Sequence, residues 1–314
     1  MSNIETIYSN ITLKEINQIQ KDSYKIEHIN LLDELDAKYI DIHNNRLLNT
    51  KPSQIWGNYL EELNSNDDTL GEKEALRTFD LLNRKISGLP INNSFHEIGM
   101  NLDKFLNALP DKIYDLLDNF EVNQEELKEP YKKYTKEIGN MKEILKNNLP
   151  KVLNKIEPKG SEFIKFNDLP LGTKPFREYL SIKNLKINDL DSSKVVLAIE
   201  DILNRENESS KTWIESLNNT LEGKISIAYT LMNWAGYYPD DFDKNKKNRD
   251  RFLASTNDML HATIAARSCY LISNDNAFSK KAIAAYKYAG SKTIICSSKD
   301  FIEEQCKLKI PTNN

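Results

Sequence analysis

The spacing of apolar residues changes along the chain and predicts strands with helices at the N-terminal end, followed by helices alone. Short alternating or apolar runs predict strands at 5–9 and 37–42. A three- and four-residue spacing between them predicts helices at 10–19 and 25–35. From 52 to 223, apolar residues recur every three or four positions among dense charged residues, which is typical of amphipathic helices. The pattern therefore predicts an α/β N-terminal part and an all-helical region after it.

The last 60 or so residues return to an alternation of helices and strands. The predicted order is helix 256–267, strand 269–273, helix 277–289, strand 293–296 and a short helix from Ser298. Ser255, Thr256 and Asn257 are suitable residues for the cap of the first helix, and Gly290 stands where a C-terminal cap belongs. A strand, a helix and a second strand with short connections are typical of a parallel βαβ unit.

Composition excludes several classes of protein but leaves the function open. Apolar residues make up 39% and charged residues 29% of the chain, as expected of a globular protein with much exposed surface. The net charge of −4 neither requires nor excludes a nucleic-acid partner, because phosphate binding needs only a local basic face. The three cysteines lack the spacing of a metal site, and no apolar run approaches the ~18 residues of a membrane span. We therefore expect a cytoplasmic protein without a membrane partner.

Two aspartates flank the predicted strand 269–273. Asp275 follows the strand by two residues, and Asp258 falls in the first predicted turn of the preceding helix. Because ligand sites form at the carboxyl ends of parallel strands, both carboxylates are expected to converge at that edge. Such a cluster suits a hard divalent ion, Mg²⁺ or Mn²⁺, which can activate water for phosphodiester hydrolysis. Helix capping is the alternative interpretation of each aspartate, because Asp is a preferred N-cap residue.

The same residues resemble the closing half of PIN-type nucleases. Asn257-Asp-Met-Leu-His-Ala-Thr-Ile-Ala265 matches a helix in which an aspartate precedes a His-Ala pair. Cys269-Tyr-Leu-Ile-Ser-Asn-Asp-Asn-Ala-Phe278 matches the next strand, which ends in a Ser-Asn-Asp triplet followed by Phe. The segment 235–240 is also similar to one that precedes this helix in larger members with insertions. The resemblance covers about 70 residues and implies that Asp258 and Asp275 are catalytic metal ligands.

A weaker match lies at the N-terminus. Ile7-Tyr-Ser-Asn-Ile-Thr-Leu-Lys-Glu-Ile16 resembles the second strand and helix of PIN domains, in which a glutamate is an acidic ligand. Glu15 occupies that position, so the resemblance makes it the third catalytic and metal-binding residue. The alternative is a capping box that starts at Thr12, with Glu15 as its acidic member.

The chain departs from the PIN pattern at its start. PIN domains open with a central strand that carries an aspartate, whereas this chain begins almost directly at the second strand of the pattern. A start site placed too late, a truncated gene or a degenerate domain would each account for the difference. Because the metal would lose a ligand, the missing carboxylate bears directly on cleavage activity.

Basic residues near the two aspartates are candidates for RNA contact. A basic stretch directly before Asp258 is well placed to meet a phosphate backbone, and two lysines follow Asp275. A solvated loop is the alternative interpretation of the basic stretch. The candidate RNA-binding residues are Lys244, Lys246, Lys247, Arg249, Arg251, Lys280 and Lys281. His261, Ser273 and Asn274 are predicted to support the site.

The predicted fold class is α/β, a PIN-like parallel sheet flanked by helices and carrying a large all-helical insertion. The predicted domains are a discontinuous α/β domain, 1–56 with 225–314, and a helical insertion, 57–224.

The predicted function is that of a metal-dependent endoribonuclease, which the resemblance connects with toxins or phage defence. Its partners would be RNA and, for a toxin, an antitoxin or another protein; an oligomer is also compatible. The second hypothesis is a catalytically inactive PIN-like scaffold that binds a protein or RNA. A flavodoxin- or receiver-like module with clustered acids and Mg²⁺ is the third.

Overall fold

A computed structural model describes the two ends of the chain and parts of its middle. The described residues are 4–42, 46–64, 72–122, 143, 173–178, 180–206, 220–240 and 250–308. The Cα positions group into two compact units, one made of 1–65 with 176–314 and the other of 66–175. The division predicted from the sequence, at 56/57 and 224/225, stays a prediction.

The N-terminal part of the first unit contains a small sheet and three helices. Its elements are β1 (Ile7–Tyr8), α1 (Asn10–Asn17), α2 (Asp22–Glu34), β2 (Lys38–Asp41), β3 (Arg46–Leu48) and α3 (Pro52–Asn64). Strands β1 and β2 pair in parallel, and β2 and β3 pair antiparallel, in the order β1-β2-β3. Tyr8, Leu13 and Ile16 are buried together, and Trp56 and Tyr59 of α3 pack against them. This cluster fixes α1 on the sheet.

The C-terminal part of the first unit is built around one apolar helix. Its elements are α6 (Thr173–Glu178), α7 (Leu180–Asn184), α8 (Val195–Glu206), α9 (Leu221–Ala235), α10 (Arg251–Ala265), β4 (Tyr270–Ile272), α11 (Asn276–Ala289), β5 (Ile294–Cys296) and α12 (Ser298–Leu308). Helix α9 packs against α8, α10 and α11. Because apolar residues surround α9 rather than forming one stripe, it is buried at the centre of the core.

The predicted βαβ unit near the C-terminus is confirmed. Strands β4 and β5 pair in parallel, with Tyr270 opposite Ile294, and α11 connects them. Gly290 ends α11 at a φ of 78°, a left-handed conformation in which glycine carries no Cβ penalty. The predicted C-terminal cap is therefore confirmed as well.

Helix α10 begins earlier than the sequence pattern indicates. Its N-cap is Asp250, whose carboxylate accepts a hydrogen bond from the backbone N–H of Leu253 at 3.1 Å. The predicted cap at Ser255–Asn257 is wrong, because these residues lie inside the helix. Asp258 is consequently not in the first turn, and helix capping does not explain it.

The predicted fold class is wrong. The described residues are mostly helical and contain two separate sheets, one of three strands and one of two, rather than an extended parallel sheet flanked by helices. Each strand is only two to four residues long. The apolar helix α9, not a sheet, occupies the middle of the main core. The βαβ signal was locally correct but did not extend to a whole domain.

The second unit contains two long helices, α4 (Glu72–Ile86) and α5 (Phe95–Val122), which pack on each other. Ser94 caps α5: its hydroxyl accepts from the Glu97 N–H at 3.1 Å, and the Glu97 carboxylate accepts from the Ser94 N–H at 2.6 Å. Pro110 lies within α5. Across the described helices of both units, none has an apolar stretch long enough for a bilayer crossing.

Candidate functional site

Helices α1 and α10 bring the two ends of the chain together at Glu15. The side-chain amide of Asn257 donates to Glu15 Oε1 at 3.2 Å, and His261 Nε2 lies 3.0 Å from Glu15 Oε2. Asn257 and His261 are four residues apart on α10, so they stand one turn apart on the same face. Two side chains of one helix therefore hold both oxygens of a carboxylate that is more than 240 residues away in sequence.

The capping-box interpretation of Glu15 is wrong. The N-cap of α1 is Ser9, and its backbone N–H donates to Thr12 Oγ1 at 3.3 Å. Glu15 lies in the second half of α1 and turns toward α10 instead. The hydrogen bond from His261 is the main reason that the pKa of Glu15 is lowered, and the Asn257 amide lowers it further against the effect of burial. Glu15 is thus held as a carboxylate.

Asp258 lies on α10 between the two Glu15 partners and is the electrostatic centre of the site. Burial is the largest cause that raises its pKa from the ordinary 3.8 to about 6. The negative charge of Asp240 adds most to this effect, followed by those of Asp275 and Glu15, while Lys281 opposes them. The three predicted acids, Glu15, Asp258 and Asp275, therefore lie close enough for their charges to interact. They come from α1, α10 and the turn before α11.

Asp240 is a fourth acid, which the sequence interpretation did not include. Its Oδ2 accepts a hydrogen bond from the Ser255 hydroxyl at 2.7 Å and lies 2.5 Å from Lys281 Nζ. Its backbone N–H donates to Asn233 Oδ1 at 2.7 Å. Gly236 ends α9 in a left-handed conformation, and Asp240 follows four residues later. A turn glycine followed by an aspartate after a buried helix was the available signal, but the sequence alone does not show that the segment returns to α10.

The prediction that Lys281 contacts RNA is wrong. Its side chain is 0% exposed, its ammonium pairs with Asp240, and its Nζ lies 4.7 Å from the ring centre of Tyr229. Lys281 follows Asp275 by six residues, which places it on the inner face of α11 rather than at the surface. Lys280, its neighbour, is exposed.

Tyr229 is a second buried side chain near the acids. It is 1% exposed, and among the described residues no group hydrogen-bonds to its hydroxyl. Burial is the main cause that raises its pKa, and the negative charges of Asp258, Asp240 and Asp275 raise it further. The tyrosine is thus neutral and lies next to three of the four acids.

Asp275 is the N-cap of α11, so the capping interpretation of this residue is confirmed. Its Oδ1 accepts from the Phe278 N–H at 2.8 Å, and its own N–H donates to the hydroxyl of Ser273 at 3.1 Å. Asn274 Oδ1 accepts from the backbone and hydroxyl of Ser298 at the start of α12. Ser273 and Asn274 therefore shape the turn that presents Asp275. Capping uses one carboxylate oxygen, and the residue is exposed.

The remaining predicted RNA contacts are only partly placed. Lys244, Lys246, Lys247 and Arg249 lie outside the described residues. Arg251 is the first residue of α10, seven positions before Asp258. Lys280 is exposed in the second turn of α11, near the Asp275 end of the site. Their roles in RNA binding stay predictions.

The donor chemistry of the site suits Mg²⁺ or Mn²⁺, but the side chains are not arranged as a finished metal site. Carboxylate oxygens are the ligands that these ions prefer, and Asn257 Oδ1 is a buried acceptor with no hydrogen-bond partner among the described residues. However, no three His, Cys, Asp or Glu side chains in the described part of the chain lie close enough to hold one ion together.

Known proteins give no guide to this site. The chain matches no protein-family model, no curated protein and no solved structure in the comparisons made.

Proposed function

We propose that the protein is a divalent-metal-dependent endoribonuclease whose metal is held by Glu15, Asp258 and Asp275. The observation that carries the proposal is the gathering of carboxylates around Asp258, whose pKa is raised to about 6 by burial and by its acidic neighbours. Carboxylates that lie near one another and are partly withdrawn from water destabilise a fold, and strongly perturbed pKa values are common at functional sites. A divalent cation is the ligand that compensates for carboxylates most directly.

The residues around the acids have distinct parts in this proposal. His261 and Asn257 hold Glu15 by its two oxygens, which keeps the carboxylate ionised and oriented toward α10. Ser273 and Asn274 hold the turn at Asp275. A bound Mg²⁺ or Mn²⁺ would supply an activated water and offset negative charge on the phosphate. The cation would favour the ionised form of Asp258, whose charge interacts with those of Glu15 and Asp275.

RNA as the substrate is a proposal from the sequence. Four basic residues precede α10 and Arg251 begins it, while exposed Lys280 follows Asp275, so positive charge lies before Asp258 and after Asp275 in the sequence. Positive residues at such positions suit a phosphate backbone. The resemblance to PIN-type nucleases adds RNA cleavage in the cytoplasm, as a toxin or in phage defence, to the same proposal.

An inactive scaffold that binds a protein or RNA is the second candidate. It is favoured by one observation, that no three acidic or imidazole side chains of the described residues are close enough to ligate one ion. This candidate predicts RNA binding without cleavage.

Incubation with RNA and Mn²⁺ tests the proposal. We expect the wild-type protein to cleave RNA with Mn²⁺ and not with a chelator, and Asp258→Asn/Asp275→Asn to lose at least about 100-fold in rate, because both substitutions remove metal ligands. Asp22→Asn/Asp201→Asn is the matched control, since both aspartates are exposed on helices and pair with a nearby Lys or Arg. Equal cleavage by the acidic-site variant and the control would contradict the proposal, and RNA binding without cleavage by the wild type would favour the scaffold.

A further inference from the structure

Lys281 places a positive charge inside the acidic site. Its side chain is completely buried, and its ammonium lies 2.5 Å from Asp240 Oδ2 and over the ring of Tyr229. A charged lysine is rarely buried without a partner, because desolvation of an ammonium is costly. Here its carboxylate partner and the electron-rich face of an aromatic ring compensate for that cost. The charge of Lys281 also acts on Asp258 and opposes the effect of the acids there.

Asp240 is held by hydrogen bonds with several neighbours. Its Oδ2 accepts from both Lys281 and Ser255, and the Ser255 hydroxyl accepts from the amide of Asn233 at 3.1 Å. The side-chain oxygen Oδ1 of Asn233 accepts a hydrogen bond from the backbone N–H of Asp240. These hydrogen bonds form a closed ring of Asp240, Ser255 and Asn233. Ser255 and Asn233 are buried, while the side chain of Asp240 is 24% exposed.

Two buried polar atoms near the acids have no partner among the described residues. One is the hydroxyl of Tyr229, which is 1% exposed and lies near Asp258, Asp240 and Asp275. The other is Oδ1 of Asn257, which is 2% exposed and belongs to the amide that donates to Glu15. Buried polar atoms in folded proteins nearly always have a partner, so each unpartnered atom calls for a ligand or water. Both independently indicate that the acidic site is incomplete without a bound species.

We propose that Lys281 is the site's permanent cation, which neutralises Asp240 and leaves Glu15, Asp258 and Asp275 to hold a single divalent ion. This inference rests on the proposed function and specifies its metal content. In two-metal sites the ions lie about 3.5–4 Å apart and share carboxylates. At the Asp240 side of this site the Lys281 ammonium already pairs with the carboxylate, and its positive charge would repel a metal ion entering there. Lys281 is thus a positioning residue rather than a catalytic one.

The variant Lys281→Met tests this inference by removing the charge while retaining a long apolar side chain. Without metal, the variant leaves Asp240 as a partly buried carboxylate without its ion-pair partner, so we expect its Tm to fall by roughly 10 °C. Added Mn²⁺ should then bind at the freed Asp240 and raise the Tm of the variant clearly more than that of the wild type. Calorimetry should give one Mn²⁺ per chain for the wild type and two for the variant.

Two further variants make the test specific. Lys280→Met removes the exposed neighbouring charge and should match the wild type in Tm, in Mn²⁺ response and in stoichiometry. Lys281→Met/Asp240→Asn removes both partners, so it should recover most of the lost Tm and lose the additional Mn²⁺ effect. If Lys281→Met alone does not fold without metal, recovery of folding in the double variant or on addition of Mn²⁺ supports the inference.

Equal Mn²⁺-induced Tm shifts in Lys281→Met and Lys280→Met would overturn the inference, as would two Mn²⁺ ions per chain in the wild type. Its failure is distinguishable from failure of the proposed function. A wild type that binds one Mn²⁺ and does not cleave RNA would contradict the nuclease proposal while the role of Lys281 stands. A wild type that cleaves RNA but binds two Mn²⁺ ions would contradict the role of Lys281 while the nuclease proposal stands.

Discussion

Asp258→Asn is expected to make the metal-free protein more stable near pH 8, by about 3 kcal/mol, even though it removes a proposed ligand. The pKa of Asp258 is about 6 in the folded protein, above its ordinary 3.8. The folded state therefore binds a proton more tightly than the unfolded state between these two values. The free energy of unfolding consequently falls as pH rises from about 4 to about 6. Above about pH 6 the wild type carries the full destabilising effect of the ionised Asp258 carboxylate. Asparagine has nearly the same shape and no charge.

Chemical denaturation with a chelator at about pH 4 and at about pH 8 measures this effect. We expect the variant and the wild type to differ little at the lower pH, where Asp258 is protonated in the folded state and the destabilising effect of its charge is absent, and to diverge at the higher pH. Asp201→Asn, on the exposed face of α8, is the matched control and should follow the wild type at both. A lower free energy of unfolding for Asp258→Asn than for the wild type near pH 8 would contradict the prediction, because the ionised Asp258 carboxylate would then not destabilise the fold.

His261→Ala is expected to weaken Mn²⁺ binding by roughly 10- to 100-fold, the usual cost of removing a residue that orients a metal ligand. His261 lies 3.0 Å from Glu15 and is the largest cause of the lowered pKa of that carboxyl. Without it, Glu15 is held by Asn257 alone, through a longer hydrogen bond of 3.2 Å. The free energy of unfolding should change by less than about 1 kcal/mol, because the pair is partly exposed and screened by water.

The contrast between affinity and stability separates a positioning role from a structural one. His261→Gln retains a side-chain donor and should recover part of the affinity. His28→Ala is the matched control, because His28 is exposed on α2 and bonds only a carbonyl of its own helix in the described contacts. A loss of stability at His261→Ala without any change in Mn²⁺ affinity would indicate that the Glu15–His261 pair merely joins α1 to α10.

Local patterns predicted the elements of this protein better than its architecture. The βαβ unit and the glycine cap of α11 are confirmed, because periodicity and capping depend on neighbouring residues. The predicted extended sheet is wrong. The spacing of a βαβ unit indicates that two strands pair in parallel, but it does not indicate how many further strands belong to the sheet. The apolar helix α9 decides that question: its burial at the centre of the core leaves a two-stranded sheet beside it.

The candidate site was predictable in part for a similar reason. Asp258, Asp275 and Glu15 lie in local patterns that the sequence displays, and their charges interact in the fold. The capping signals misled at both helices: the cap of α10 is Asp250 and the cap of α1 is Ser9, so neither Asp258 nor Glu15 has that role. Of the three capping interpretations, only that of Asp275 is confirmed.

Asp240 and Lys281 were out of reach because their meaning depends on tertiary contacts. Asp240 precedes α10 by more than ten residues, and Lys281 is one of two adjacent lysines that are indistinguishable in sequence. The packing of α11 on α9 decides which lysine is buried. Their ion pair arises from this packing, and no local pattern in the sequence indicates it.

Titration of the metal-free protein with Mn²⁺ by calorimetry tests most directly whether the acids around Asp258 form a metal site. The account predicts one binding event per chain for the wild type, retained in Asp201→Asn and lost or weakened at least about 100-fold in Asp258→Asn, which removes a charged ligand. Absence of Mn²⁺ binding by the wild type, or binding that Asp258→Asn leaves unchanged, would contradict it.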